Sequence, residues 1–364
     1  MYDIEFFKNT FNIKRKIVRG CFGREDIEEI AETFNANINR KPFVFNIETT
    51  NYCNMSCIMC QRTTDFRRKL HHMDDKTFEM IASQIEPQRE DVYKDWQDFV
   101  ESYCREGNNQ PSENNFYFDV VSKSITLHGF GEPVLDPHLT KRISTLTNRK
   151  ISTYFSCNPC NIKMDIFAGL FDAGAGYIKF AIDSLDDEEA RRIRGKKADF
   201  TESYKKVLEV IALKEKLGAE TIIVLTMLNM SSDPSQGERF LDIWKGKDVY
   251  AYVKSLDNKW LLRNKGQTEE SKVVNRSHYE EQYCEYAWTS MTILADGSVV
   301  PCTQDINGTW TFGNVNEQSL FDIWNSEKYR KFRELQLSKD TPRDFMCHSK
   351  CDFKVISDCY KEKQ

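Results

Sequence analysis

Short apolar runs alternate with longer amphipathic segments through the middle of the sequence. The amphipathic segments carry apolar residues at helical spacing, as in the segment from Phe200 to Leu217, where Val207, Val210 and Ile211 fall on one face. Strands that alternate with helices are typical of βα units and a parallel sheet, so the predicted fold class is α/β. Helices are predicted from Asp74, at 164–171 and at 200–217, and strands at 43–47, 124–128, 151–156, 177–183, 221–227 and 250–256.

Two segments lie outside this alternation. Residues 1–41 are polar with some apolar residues at helical spacing, and we expect a short N-terminal cap that is too small to be a separate domain. Residues 86–118 are rich in charged residues, asparagine and aromatic residues, and they predict an insertion. We expect a solvated excursion there, and a lid or a partner surface is the alternative.

The pattern changes again towards the C-terminus. A polar linker at 257–283 leads to two short apolar runs around Asp296-Gly297, a pair that favours a β-hairpin. A helix is predicted at 320–337. We therefore expect four parts: the cap at 1–41, a parallel α/β domain at 42–256, the linker at 257–283 and a small cysteine-bearing domain at 284–364.

Composition and charge narrow the class of protein. The 364 residues include 51 Lys and Arg and 56 Asp and Glu, and the net charge of −5 gives no support for a nucleic-acid partner. The sequence has no run of 18 apolar residues, so we expect no membrane span, and its N-terminus lacks the apolar core of a signal peptide. We therefore expect a cytoplasmic protein, in which twelve cysteines suggest metal ligands more than disulfides.

Three cysteines follow the first predicted strand. Cys53, Cys57 and Cys60 have the spacing Cys-x3-Cys-x2-Cys. Three thiolates can hold three irons of a four-iron cluster and leave the fourth iron open for chemistry. A zinc site that His71 or His72 completes is the alternative.

Further polar and glycine-rich residues follow the next predicted strands. Gly129–Pro133 comes after the second strand, Ser156 ends the third and Asp183 ends the fourth. Ligands bind at the carboxyl ends of the strands of a parallel sheet. We therefore expect these residues and the three cysteines to form one site.

The cysteine spacing resembles the signature of the radical SAM superfamily, in which an aromatic or apolar residue precedes the last cysteine. Met59 has that position here. Gly129-Phe130-Gly131-Glu132-Pro133 is similar to the superfamily's Gly-Gly-Glu-Pro motif, with Phe130 in place of the first glycine. Ser156-Cys157-Asn158 lies where the superfamily often has Ser-Thr-Asn-Gly, without the final glycine.

This resemblance implies a cofactor set and a reaction. S-adenosylmethionine (SAM) would chelate the open iron of a [4Fe–4S] cluster, and an electron from the cluster would cleave SAM to a 5′-deoxyadenosyl radical. A reductant such as flavodoxin or ferredoxin is implied as a partner. Glu132 would accept a hydrogen bond from the methionyl amino group of SAM. The residues implied to bind SAM are Met59, Gly129, Gly131, Glu132, Pro133, Ser156, Asn158, Asp183 and Arg194.

The C-terminal cysteines resemble those of the SPASM/twitch extensions of this superfamily. The resemblance implies that Cys284, Cys302, Cys347 and Cys351 hold one auxiliary [4Fe–4S] cluster. Cys359 is either a spare thiol or a substitute for Cys347 or Cys351. Four cysteines with hairpin spacing also suit zinc, which is the alternative.

The resemblance implies a partial (β/α)6 TIM-like barrel with a small C-terminal twitch/SPASM domain. We expect a radical SAM oxidoreductase whose substrate is a sugar, a cyclitol or another small natural-product intermediate, with the auxiliary cluster as electron acceptor. Maturation of a precursor peptide by oxidation, cross-linking or epimerisation is a second hypothesis. A zinc or iron–sulfur protein without catalytic activity is a third.

Overall fold

The computed structural model describes most of the chain. The described residues are 1–21, 26–105, 107–230, 233, 235–254, 283–284, 286–343 and 345–350. All of the predicted linker except residue 283 lies outside them, as do Cys351 and Cys359. The predicted boundaries between the barrel, the linker and the C-terminal domain therefore stay predictions.

The described strands form one sheet of nine strands, in the order β6-β5-β4-β3-β2-β1-β7-β8-β9. The first six are parallel and follow one another across the sheet in chain order. This arrangement confirms the predicted α/β class and the partial (β/α)6 barrel. The strands are β1 (Val44–Ile47), β2 (Ser124–Thr126), β3 (Ser152–Cys157), β4 (Tyr177–Ala181), β5 (Ile222–Leu228), β6 (Tyr250–Lys254), β7 (Met291–Ile293), β8 (Ser298–Val300) and β9 (Gly313–Asn314).

Helices precede, connect and follow these strands. The α-helices are α1 (Ile4–Val18), α2 (Ile27–Asn37), α3 (Arg62–Asp65), α4 (Asp75–Ser83), α5 (Glu90–Val100), α6 (Glu113–Phe116), α7 (Leu139–Asn148), α8 (Met164–Asp172), α9 (Asp187–Arg194), α10 (Phe200–Leu217), α11 (Gln236–Trp244), α12 (Tyr286–Thr289), α13 (Leu320–Trp324), α14 (Glu327–Ser338) and α15 (Cys347–Lys350). In the described part of the chain, π-helical turns lie at Glu101–Arg105 and Tyr117–Val121, and 3₁₀ turns lie at Pro133–Leu135 and Pro159–Asn161. None of the described helices is long and apolar enough to cross a membrane.

Side chains on the two faces of the strands pack against different partners. On the outer face, Phe155, Ile178 and Phe180 belong to the main core, together with apolar residues of α7, α8 and α10. On the inner face, Tyr154 and Tyr252 belong to a second cluster that is mostly aromatic. Successive side chains of a strand point to opposite faces, so each strand contributes to both cores.

The segment at 86–118 packs against the inner face of the barrel. Trp96, Val100, Phe116 and Phe118 are buried there, and the Trp96 indole donates a hydrogen bond to the Phe118 carbonyl (2.9 Å). The expectation of a solvated excursion is therefore wrong. Most of its charged residues are exposed, while its aromatic residues, which fall at helical spacing between them, pack against the inner face of the barrel.

The C-terminal hairpin extends the barrel sheet. The predicted hairpin is confirmed by β7 and β8, whose connection holds Gly297 at φ +86°, a conformation that glycine adopts readily. Strand β7 pairs in parallel with β1, the strand that leads into the three cysteines. The single helix predicted at 320–337 is wrong, because α13 ends before Ser326, whose hydroxyl caps α14 at the Tyr329 N–H.

Candidate active site

The predicted site residues converge at the carboxyl ends of the parallel strands. They border a cavity of about 360 Å³, called here the outer cavity, which faces the cysteine loop at residues 48–60. Pro133 is the one predicted SAM-binding residue that lies outside the lining, because it is buried at the start of a 3₁₀ turn. The predicted residues that line the outer cavity are Cys53, Cys57, Met59, Cys60, Gly129, Gly131, Glu132, Ser156, Asn158, Asp183 and Arg194.

The end of α9 holds the cysteine loop in place. The Ser56 N–H donates to the Arg194 carbonyl (3.3 Å), and the Ile58 N–H donates to the Ile193 carbonyl (2.8 Å). Arg194 also places Nη1 3.9 Å from the Cys57 Sγ. Burial raises the pKa of the Cys57 thiol to about 11, against the opposing charge of Arg194. The free thiol therefore keeps its proton at neutral pH, and a metal must displace that proton when it binds.

The described thiols are not arranged around a single ion. A tetrahedral zinc site brings its thiolates within about 3.8 Å of one another, given a Zn–S bond of about 2.3 Å. Among the described residues, no three His, Cys, Asp or Glu side chains form a group that could hold one metal ion. In a four-iron cluster each thiolate binds a different iron, so three loop thiolates can hold three irons and leave the fourth open.

The glycine-rich loop after β2 packs directly on the cysteine loop. The Glu132 N–H donates to the Tyr52 carbonyl (2.7 Å). A Cβ on Gly131 would lie 2.0 Å from the Thr50 carbonyl oxygen, so only glycine fits at this position. The substituted position of the motif, Phe130, keeps a backbone contact, because its N–H donates to Glu48 Oε1 (3.1 Å).

A buried ion pair connects this loop to the C-terminal hairpin. Glu48, which is fully buried, accepts two hydrogen bonds from Arg68 (2.7 and 2.8 Å). Its Oε2 also accepts from the Ala295 N–H (3.1 Å), and Arg68 donates to the Ile306 carbonyl (2.6 Å). Sequence reasoning missed this pair. The available signal was a carboxylate directly after the first strand, at a position that parallel sheets bury.

Three buried polar atoms of residues that line the outer cavity have no hydrogen-bond partner among the described residues. They are Oε1 of Glu132, Nδ2 of Asn158 and Oε1 of Gln61. The other carboxylate oxygen of Glu132 accepts from the Asn158 N–H (3.1 Å). Buried polar atoms are normally paired, so an acceptor and a donor left open beside one cavity indicate a ligand that supplies both partners. The amino-acid end of SAM, with an ammonium group and a carboxylate, fits this pair.

Asp183 and Arg194 are bound to each other on the opposite wall. Asp183 accepts from the Arg194 guanidinium (2.8 Å at Nε) and from the Leu228 N–H (3.0 Å). Both carboxylate oxygens are therefore engaged within the protein. The pair orients Arg194 towards the cysteine loop, and a direct contact between Asp183 and SAM stays a prediction.

Three of the four predicted auxiliary ligands, Cys284, Cys302 and Cys347, belong to the described residues. The Sγ of Cys302 lies 3.9 Å from the Met346 Sδ, and the next residue, Cys347, accepts from the Gln336 side chain (3.4 Å). Cys284 and Cys302 both lie close enough to buried Tyr329 to act on its pKa. Cys351 and Cys359 lie outside the described residues, so the choice between them stays open.

One side-chain contact links the two groups of cysteines. Gln61, which follows Cys60, donates to the side-chain oxygen of Gln304 (2.9 Å). Gln304 stands two residues after Cys302 and borders the outer cavity. The contact therefore connects the first cysteine loop with the segment that follows Cys302.

Comparison with known proteins gives the family. A family model described as "Radical SAM superfamily" matches residues 47–235, which is more than half of the chain. The chain belongs to the radical SAM superfamily. A second model, SPASM, described as "Iron-sulfur cluster-binding domain", matches residues 284–352. The radical SAM and SPASM domains bind SAM with its [4Fe–4S] cluster and an auxiliary iron–sulfur cluster.

Three similar proteins illustrate the range of the superfamily. The chain is 22% identical over 352 residues to the tungsten-containing aldehyde ferredoxin oxidoreductase cofactor-modifying protein of Pyrococcus furiosus. The aligned region covers 86% of this chain and 89% of the Pyrococcus protein. Over 45 residues it is 41% identical to the S-adenosyl-L-methionine-dependent 2-deoxy-scyllo-inosamine dehydrogenase of Niallia circulans (12% and 17% covered). The crystal structure of BtrN in complex with AdoMet and 2-DOIA has a TM-score of 0.47, 17% identity, and 83% and 90% coverage.

Glu132 gives a pH-dependent prediction for this site. Burial raises the pKa of its carboxyl group to about 7, against smaller lowering effects of the Asn158 N–H and the Asn161 side chain. The ionised form must accept from the SAM ammonium group, so protonation at lower pH weakens binding. We expect SAM to bind about eightfold more weakly at pH 6 than at pH 7.5, measured by anaerobic equilibrium binding without reductant.

Two variants make this measurement decisive. Glu132→Gln should bind SAM more weakly at pH 7.5 and lose the dependence on pH. Glu188→Gln, which changes an exposed carboxylate on α9, should retain it. A pH dependence that survives in Glu132→Gln would show that another group controls binding.

Proposed function

We propose that this protein is a radical SAM oxidoreductase that acts on a small molecule. Cys53, Cys57 and Cys60 would hold the SAM-binding cluster, and Cys284, Cys302, Cys347 and Cys351 would hold the auxiliary cluster. The chemistry that bound SAM supplies is a 5′-deoxyadenosyl radical that takes a hydrogen atom from the substrate. The protein positions SAM through Glu132 and Asn158 and keeps water away from the reacting carbon.

The observation that carries the proposal is a second cavity beneath the first. This inner cavity has a volume of about 310 Å³, at the small end of the range for ligand sites. Phe130 and Gly129 border both cavities, so a molecule in the inner cavity would lie next to bound SAM. Phe116 and Tyr117 also line it. They belong to the 86–121 segment, which is the predicted insertion extended to the end of the second π-helical turn.

The aromatic lining of the inner cavity favours a small molecule over a peptide. A precursor peptide needs a channel for the chain on each side of the modified residue. Among the described residues, Phe116 and Tyr117 of the lining belong to the same buried aromatic cluster as Trp96 and Phe118, which occupies space beside the cavity. The names of the Pyrococcus furiosus and Niallia circulans proteins also refer to compounds that are not peptides, a cofactor and 2-deoxy-scyllo-inosamine. These names support a small substrate in this chain.

The auxiliary site supports an oxidation. Oxidation of an alcohol to a carbonyl removes a hydrogen atom from the carbon and a proton from its hydroxyl oxygen, which leaves one electron that an acceptor must take up. The contact between Gln61 and Gln304 connects the first cysteine loop with the segment that follows Cys302, so a second cluster held by Cys302 could receive that electron. The reductant that supplies the first electron would be a flavodoxin or a ferredoxin.

The substrate class can be tested before the substrate is known. The reconstituted protein, SAM and dithionite are incubated with extract from cells grown on deuterated carbon, divided into a fraction below about 1 kDa and a peptide fraction. A small substrate should transfer deuterium into 5′-deoxyadenosine, measured by mass spectrometry, only with the low-mass fraction. A protein with Cys53, Cys57 and Cys60 all replaced by Ala is the background control. Transfer from the peptide fraction alone would establish peptide maturation instead.

A further inference from the structure

The inner cavity combines aromatic walls with an excess of positive charge. Its aromatic walls come from the strands and from the 86–121 segment. Two lysines line this cavity and also border the outer cavity, Lys179 on β4 and Lys254 on β6. The other titratable side chains in its lining are Glu113, His128 and four tyrosines.

The two lysines differ in their partners. Lys254 forms an ion pair with Glu113 of α6 (2.6 Å). Lys179 forms no ion pair with any described residue, and its Nζ lies 5.3 Å from the ring centre of Tyr154 and 5.9 Å from that of Phe116. The nearby carboxylate of Asp183 is bound to Arg194. One positive charge in the cavity is therefore left without an anionic partner.

His128 adds a hydrogen-bond donor but no charge. Its Nδ1 accepts from the Ser156 N–H (3.1 Å), so in the neutral ring Nε2 carries the hydrogen. Burial lowers the pKa of His128 to about 3, and the charges of Lys179 and Lys254 act in the same direction. The ring is therefore neutral at physiological pH.

We propose that the inner cavity binds a substrate that carries a carboxylate or a phosphate group, and that Lys179 neutralises this group. This inference rests on the proposed function, because it names the class of its substrate. A half-buried ammonium group without a counter-charge is costly, and an anionic ligand removes that cost. A protonated amine in the same place would be repelled by Lys179, so amines should bind more weakly than anions.

The state of Lys179 agrees with this assignment. The pKa of Lys179 is lowered to about 7, mainly by burial. The charges of Lys254 and Arg194 also lower it, and those of Glu113 and Asp183 oppose the shift. An anion at the ammonium group raises the pKa again. Binding at pH 7 should therefore draw a fraction of a proton from solution.

The test uses binding without reductant, so it does not depend on turnover. The reconstituted protein with SAM is titrated by anaerobic calorimetry with four probes: D-glucuronate, glucose 6-phosphate, myo-inositol and glucosamine. We expect one of the two anions to bind about tenfold or more tightly than myo-inositol, and glucosamine to bind most weakly. The tighter anion decides between a carboxylate and a phosphate. Repeating the titration in buffers of different ionisation enthalpy should show proton uptake.

Variants separate the role of Lys179 from general damage to the fold. Lys179→Met should lose both the preference for the anion and the proton uptake, and Lys179→Arg should keep the preference. Lys123→Met is the control, since Lys123 is a half-buried lysine that packs on Tyr93 outside both cavities. Binding of the anions no tighter than myo-inositol, or an unchanged preference in Lys179→Met, would overturn the inference. Deuterium transfer from a neutral compound would do so while leaving the proposed function intact.

Discussion

Replacement of Cys53, Cys57 or Cys60 by alanine will reduce reductive SAM cleavage to the level of a protein-free control. The three thiolates are the only protein ligands of the SAM-binding cluster in the proposed arrangement, and each binds a separate iron. The loop is already fixed by backbone hydrogen bonds to Ile193 and Arg194, so its fold does not depend on a single thiol. The measurement is 5′-deoxyadenosine formed per chain with dithionite as reductant.

A matched cysteine controls for the loss of a thiol as such. Cys104 is half-buried like the loop cysteines but packs in the aromatic cluster, away from the outer cavity. Cys104→Ala should therefore cleave SAM at the wild-type rate. If any one of the three loop variants, with wild-type circular dichroism, still cleaved SAM as fast as Cys104→Ala, the ligand assignment would be wrong.

Replacement of Cys302 by alanine will separate SAM cleavage from product formation. Cys302 lies beside Met346 and Cys347 in the auxiliary group, whereas the residues predicted to bind SAM lie in the barrel. Mutations at independent sites act independently, so SAM cleavage should stay within about twofold of wild type. Product formation should disappear, because the electron left on the substrate has no acceptor.

The outcome of this experiment is read as a ratio. In the wild type, 5′-deoxyadenosine and oxidised product should form in equal amounts, and in Cys302→Ala only the former should appear. Cys284→Ala should give the same ratio, because both thiols lie near Tyr329. A folded Cys302→Ala protein that makes product at the wild-type rate would remove the auxiliary cluster from the reaction.

The local features of the barrel could be predicted from the sequence because they depend on neighbouring residues. Helix α10 has the predicted bounds, Phe200–Leu217, because its apolar face, its Asp199 cap and Gly218 with φ +61° all act within a few residues. The strand before Gly129 and the strand that contains Ser156 were predictable for the same reason. A parallel sheet then brings strand ends together, which is why all the residues predicted for the SAM-binding site except Pro133 line one cavity.

Features that depend on distant contacts could not be predicted in this way. The burial of Trp96 and Phe118 follows from the aromatic inner face of strands that lie elsewhere in the chain. The pair Glu48 and Arg68 is defined by its contacts to Phe130 and Ala295, which no local pattern encodes. The parallel pairing of β7 with β1 joins strands more than 200 residues apart, and hydrophobic patterning carries no information on it.

The same distinction applies to the substrate. The cysteine spacing indicates iron–sulfur chemistry, because three thiolates on one short loop can hold a four-iron cluster that has one open iron. The charge of the inner cavity depends on Lys179, Lys254 and Glu113, which come from three elements and meet only in the folded protein. Sequence analysis therefore predicted the superfamily, whereas the proposed charge of the substrate depends on the folded protein.

The most direct test of the central claim is the metal content of two proteins after anaerobic reconstitution. The account predicts about eight irons and eight sulfides per chain in the wild type, and about four of each when Cys53, Cys57 and Cys60 are all replaced by alanine. It also predicts that only the wild type cleaves SAM. About four irons in both proteins, or zinc in place of iron, would contradict the account of one SAM-binding cluster and one auxiliary cluster.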